Sequence, residues 1–186
     1  SAKHFPGHGD TDVDSHRSLP ILPFSRERLD SLELYPFKSL IDEDVTMVMI
    51  GHLFIPSLDT IVSTLSHKVV TKLLKEEMKF DGIVVTDALN MKGVSSTLRP
   101  SEVTLAAYKA GVDLLLMPNE VKRSIDMIVA AVESGECSME DLDNRVRKIL
   151  RLKAKLGMLT DGYSAIIDST NIISRVHKPE HVALVQ

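Results

Sequence analysis

The stretch Lys3-His4-Phe5-Pro6-Gly7-His8-Gly9-Asp10-Thr11-Asp12-Val13-Asp14-Ser15-His16 brings three histidines and three aspartates together, punctuated by two glycines. Such a segment is too polar for a core and reads as a site loop. Asp14 and His16 stand two residues apart, so in an extended or turning loop both can face one cavity. The carboxylate can then accept from one imidazole nitrogen, which fixes the tautomer and raises the ring's proton affinity, leaving the other nitrogen to give or take a proton near neutral pH. Farther along, Gly82-Ile83-Val84-Val85-Thr86-Asp87 runs an apolar segment straight into a carboxylate. Asp87 is suited to act as a nucleophile or as a charge that stabilises a developing cation. An acid/base group with a separate carboxylate is the division of labour of glycoside hydrolysis, with a histidine here in place of the usual second carboxylic acid.

Other chemistries are weighed on the same residues. A calcium loop opening at Asp10 requires Gly at its sixth position and Glu at its twelfth, where this chain has Ser15 and Ile21. His4, His8 and His16 with an aspartate have the chemistry of a zinc site, but their spacing matches no metal signature. No metal or organic cofactor is expected. For Asp87 the structural alternative is a helix N-cap or Asx-turn after a strand.

These residues need a scaffold, and the hydrophobic pattern supplies one. Near-continuous apolar runs at 45–50, 82–85 and 113–117 end in Gly51-His52, Thr86-Asp87 and Pro118-Asn119, as buried parallel strands with polar C-terminal ends do. Between and after them the spacing predicts helices. Ser25 can cap one through about residue 41 and Ser66 one through 78, with Val69, Val70, Leu73 and Leu74 on one face. Others are expected over 100–110, 120–134 and 138–156, with Gly111, Gly135 and Gly157 as their stops. His52, at a strand's C-terminal end, is a candidate for the substrate pocket. His67, His177 and His181 read as surface residues, and Met91 as packing on the site floor.

The composition is that of a globular chain: 44 % hydrophobic, 26 % charged, a formal net charge of −4 and a pI near 6.0. That balance argues against a nucleic-acid or anionic-membrane partner. No apolar run approaches the roughly 20 residues of a membrane span. Cys137 is the single cysteine, so no internal disulfide can form.

Lys3-His4-Phe5-Pro6-Gly7-His8-Gly9, followed by Asp14-Ser15-His16 and by Thr86-Asp87-Ala88-Leu89-Asn90-Met91, resembles glycoside hydrolase family 3, in its β-N-acetylglucosaminidase branch. Family β-glucosidases share only the Lys-His-Phe part, so the Asp-Ser-His ending discriminates within the family. The resemblance covers about residues 2–157 and implies a (β/α)8 barrel. It implies Asp87 as the catalytic nucleophile, His16 with Asp14 as the acid/base dyad, and Lys3 and His4 as ligands of sugar hydroxyls. The implied reaction releases non-reducing terminal β-linked N-acetylglucosamine from peptidoglycan fragments or chitooligosaccharides. A phosphorylase remains an alternative, because a histidine acid/base does not repel phosphate, as does a β-glucosidase of the same family.

A barrel of this type takes roughly 250 residues, against 186 here. The expectation is therefore the C-terminal part of the barrel over residues 1–157, truncated on its N-terminal side. Residues 158–186 would form a linker whose Pro179-Glu180-His181-Val182-Ala183-Leu184 opens a further domain. Such a piece would be inactive in isolation and would self-associate through open sheet edges, and a purely structural or carbohydrate-binding role is the competing reading. The likeness of the tail to longer family members points to an envelope or secreted protein.

Overall fold

The computed structural model of the chain describes residues 1–11, 18–95, 98–161 and 163, in two units, Ser1–Ile149 and Leu150–Gln186. In the first, β1 (Ala2–Phe5), β2 (Met47–Ile50) and β3 (Ile83–Thr86) form a parallel sheet in that order. Parallel neighbours cannot be joined by a tight turn, so each connection is long and includes helical segments. From β1 to β2 the chain passes through α1 (Arg26–Arg28), a π-helical segment Leu29–Glu33 and α2 (Tyr35–Asp42). From β2 to β3 it passes through a 3₁₀ turn, Ser63–Leu65, and a π-helix, Lys68–Glu77. After β3 come α3 (Lys92–Ser95), α4 (Pro100–Ala110), α5 (Val121–Glu133) and α6 (Met139–Lys155). The fold is α/β, with parallel strands alternating with helices.

Several sequence expectations meet their elements. Ser25 Oγ accepts from Arg28 N at 3.3 Å at the start of α1, and Gly111 takes a left-handed φ of 110° at the end of α4. Ser138 Oγ accepts from Asp141 N at 3.3 Å as α6 begins. Others are corrected. The helix expected over 25–41 is three successive pieces, and both it and the one over 66–78 contain wide turns, in which Leu34 N donates to Leu29 O at 2.8 Å and Met78 N to Leu73 O at 2.9 Å.

The strand expected at 113–117 appears only as a bridge between Leu114 and Val85. Side chains take places that a regular ladder gives to backbone: Val84 N donates to Asp113 Oδ2 at 2.8 Å and Leu116 N to Thr86 Oγ1 at 2.9 Å. The start of the motif, expected as loop, is the strand β1. It is too short and too polar at Lys3 and His4 to show an apolar run.

The core lies between the sheet and its helices. Phe5, Val48, Ile50 and Val84 have no exposed surface, and Phe5 meets Phe37 of α2 edge-on at 5.1 Å. Val69, Val70, Leu73 and Leu74 of the π-helix are buried, the face expected from their spacing. A second cluster joins Leu89, just after Asp87, to Val94 of α3 and Val103 of α4. Arg145 of α6 donates to Tyr108 O and Val112 O, both at 2.7 Å, and so ties α6 to the end of α4.

In the second unit α6 ends at Lys155 and Gly157 takes a φ of 72°, as expected of a helix stop. Most of the expected linker, with His177 and His181, lies outside the described residues.

Candidate active site

Strand register gathers the site. Phe5 pairs with Ile50 and Ile50 with Thr86. His4, His52 and Asp87, each within two residues of these positions, therefore share the C-terminal edge of the sheet, where parallel α/β folds keep their chemistry. From Ala2 to Phe5 β1 advances three residues while β2 advances only two, from Val48 to Ile50. This irregularity falls on Lys3 and His4, and such bulges re-aim side chains beside active sites.

Two glycines permit the close approaches. Gly51 N donates to Phe5 O at 2.9 Å, and a Cβ at Gly51 would stand 3.1 Å from that of His4. Gly7 has a φ of 139°, and a Cβ there would lie 2.6 Å from Glu33 Cβ, so the loop after β1 rests directly on the buried Glu33. Arg28 holds that glutamate, with Nη2 3.0 Å from Glu33 Oε1, and also reaches Asp10 Oδ2 at 2.6 Å.

Asp87 is fixed at both backbone and side chain. Its N–H donates to Ile50 O at 2.9 Å, and its Oδ1 accepts from Ala88 N at 2.8 Å. Oδ2 faces His4, 3.8 Å from Nε2, with side-chain exposures of 18 % for Asp87 and 32 % for His4. The carboxylate is thus half-sheltered but reachable. It caps no helix: the turn that follows closes through Met91 N and Ala88 O at 3.0 Å, and α3 begins only at Lys92. Met91 is buried, and Lys3 is exposed. The His4 ring meets His8 edge-on, with centroids 5.9 Å apart. Asp14 and His16 lie outside the described residues.

His52 does not line an open pocket. The ring is 0 % exposed, with Nδ1 2.7 Å from Thr64 Oγ1 and Nε2 3.0 Å from Ala88 O. Both ring nitrogens of the expected pocket residue His52 are thus engaged by protein. Burial pushes its pKa below the ordinary imidazole value, against the pull of the Ala88 carbonyl and the Asp87 charge. Thr64 and the Ala88 carbonyl escape sequence reasoning, because no local pattern marks a contact that only tertiary structure creates. His67 is exposed, as expected. Among the described residues no group of three or more His, Cys, Asp or Glu side chains is placed to hold a metal ion.

Residues 1–152 match the glycosyl hydrolase family 3 N terminal domain. The chain belongs to glycosyl hydrolase family 3. Among curated relatives, the beta-hexosaminidase A of Pseudoalteromonas piscicida is 35 % identical over 176 residues, 83 % of this chain and 29 % of that protein. Among solved structures, a glycoside hydrolase family 3 beta-N-acetylglucosaminidase from Paenibacillus sp. str. FPU-7 superposes with a TM-score of 0.80 at 40 % identity, over 89 % of this chain and 34 % of that one. A β-glucoside phosphorylase superposes with a TM-score of 0.83 at 21 % identity, over 97 % of this chain and 34 % of that one, a likeness of fold alone. The chain thus spans about a third of the length of these proteins.

Proposed function

We propose that the chain carries the catalytic residues of a retaining glycosidase that releases non-reducing terminal β-linked N-acetylglucosamine from glycans such as peptidoglycan fragments or chitooligosaccharides. The observation that carries this reading is the Asp87 carboxylate at the C-terminal edge of the sheet, with Oδ1 pinned by Ala88 N and Oδ2 turned towards His4. The names of the hexosaminidase relatives support the substrate class.

In this mechanism Asp87 Oδ2 attacks the anomeric carbon, forming a covalent glycosyl ester as the glycosidic C–O bond breaks. His16, steadied by Asp14, gives its proton to the leaving oxygen. It then removes a proton from the water that cleaves the ester and restores the carboxylate. Oδ1, already accepting from Ala88, holds the carboxylate plane while Oδ2 reacts. Lys3 and His4 bind sugar hydroxyls, with His4 close enough to Asp87 to bring a hydroxyl against the nucleophile. The sheet and helices of residues 1–157 form part of a (β/α)8 catalytic barrel.

Turnover of a chromogenic N-acetylglucosaminide by the intact enzyme tests the proposal. Asp87→Asn preserves shape but removes the attacking charge, so turnover should fall by about three orders of magnitude or more. Activity near wild type would overturn the assignment.

A further inference from the structure

We infer that His52 is a positioning residue for the nucleophile, acting through the Ala88 peptide, a role that rests on the reading of Asp87 above. One peptide unit faces two ways. The Ala88 N–H donates to Asp87 Oδ1 at 2.8 Å, while the carbonyl of the same residue lies 3.0 Å from His52 Nε2. Fixing that carbonyl restrains the Ala88 backbone, and with it the direction from which the N–H grips the carboxylate.

The tautomer follows from elementary accounting. A carbonyl can only accept, so Nε2 must carry the hydrogen. Burial disfavours the imidazolium, so Nδ1 of the neutral ring has a lone pair and accepts from the Thr64 hydroxyl at 2.7 Å. Thr64 Oγ1 also lies 3.0 Å from Gly51 O, but it has one hydrogen to give. The Gly51 carbonyl is not orphaned, because Ser63 Oγ donates to it at 2.7 Å, and Ser63 Oγ in turn accepts from Leu53 N at 3.1 Å. Every polar group around the ring is therefore satisfied with His52 neutral and Nε2–H pointing at Ala88. The chain of contacts runs from the loop after β2 to the turn after β3, linking the Thr64 hydroxyl to the reacting carboxylate.

Two variants separate positioning from bulk packing. His52→Gln keeps an N–H donor near the place of Nε2, whereas His52→Leu keeps volume without a donor. In turnover of an N-acetylglucosaminide, His52→Leu should lower kcat by about 10²-fold at nearly unchanged KM, the scale expected when a reacting group is misplaced by about 1 Å. His52→Gln should recover most of that loss. Amide hydrogen exchange supplies a readout independent of activity: Ala88 N–H should lose protection in His52→Leu and keep it in His52→Gln. If His52→Leu does not fold, Thr64→Val, which removes only the hydroxyl on Nδ1, should give a smaller change of the same kind. Nitrogen-15 NMR of the wild-type ring should show the neutral Nε2–H tautomer. Equal kcat losses in the Leu and Gln variants, unchanged Ala88 protection in both, or an Nδ1–H tautomer would each overturn the inference. A wild-type protein without turnover but with the expected tautomer and Ala88 protection would instead overturn the proposed reaction.

Discussion

Gly7 and Gly9 lie in one motif, yet replacing each with alanine should have very different effects. At Gly7 the φ of 139° lies where side-chain-bearing residues are strained, and the added Cβ would stand 2.6 Å from Glu33 Cβ and 2.8 Å from its Cγ. No rotamer relieves the first overlap, because a Cβ is fixed to its backbone. Backbone strain of this kind costs about 1 to 3 kcal/mol, and overpacking against a buried neighbour adds about 1 to 3 kcal/mol. Gly7→Ala should therefore destabilise the protein by about 2 to 6 kcal/mol, lowering Tm by about 4 to 24 °C for a chain of this size. At Gly9 an added Cβ meets nothing within 4 Å and the φ is not positive, so Gly9→Ala should change stability by no more than about 0.5 kcal/mol. Paired thermal and urea unfolding of the two variants reads the contrast. Equal effects, or a neutral Gly7→Ala, would refute the close seating of the loop on Glu33.

Two further outcomes follow from the site. His52 has a folded-state pKa below the ordinary value near 6.5, so in the window below that value the unfolded chain binds the proton more readily. The stability this group contributes is fully present above about pH 6.5 and drains away as pH falls through the folded value. The stability advantage of wild type over His52→Gln should accordingly shrink between pH 7.5 and pH 5 in urea titrations, and a constant difference would contradict it. His16→Ala should cost about 10²- to 10⁴-fold with a poor leaving group and far less with an activated aryl glycoside, which hardly needs protonation. Equal losses on both substrates would remove the acid role.

What the sequence reveals follows the range of each interaction. The strand ends at Ile50 and Thr86, the caps at Ser25 and Ser138, and the left-handed stops at Gly111 and Gly157 depend on neighbours in the chain, and all are legible there. The wide turns ending at Leu34 and Met78 are not, because one extra residue in a helical turn scarcely disturbs the spacing of the apolar face. Residues 113–117 read as a strand because their apolar run is right, but Asp113 and Thr86 bond across with side chains, which hydropathy cannot register. At the site, the residue types of Lys3, His4 and Asp87 suggest their chemistry. The bracing of Asp87 through His52 and Thr64 depends on residues brought together from separate loops, and no spacing along the chain encodes it.

The most direct test of the nucleophile assignment is to trap the intermediate with a slow fluorinated N-acetylglucosamine analogue and map the label. Trypsin should release residues 80–92, Phe-Asp-Gly-Ile-Val-Val-Thr-Asp-Ala-Leu-Asn-Met-Lys, which hold just two side-chain carboxylates, Asp81 and Asp87. The expected result is a stoichiometric mass increase on this peptide, assigned by fragmentation to Asp87 and absent in Asp87→Asn. A label on Asp81 or on another peptide, or turnover without any covalent adduct, would contradict Asp87 as the attacking group.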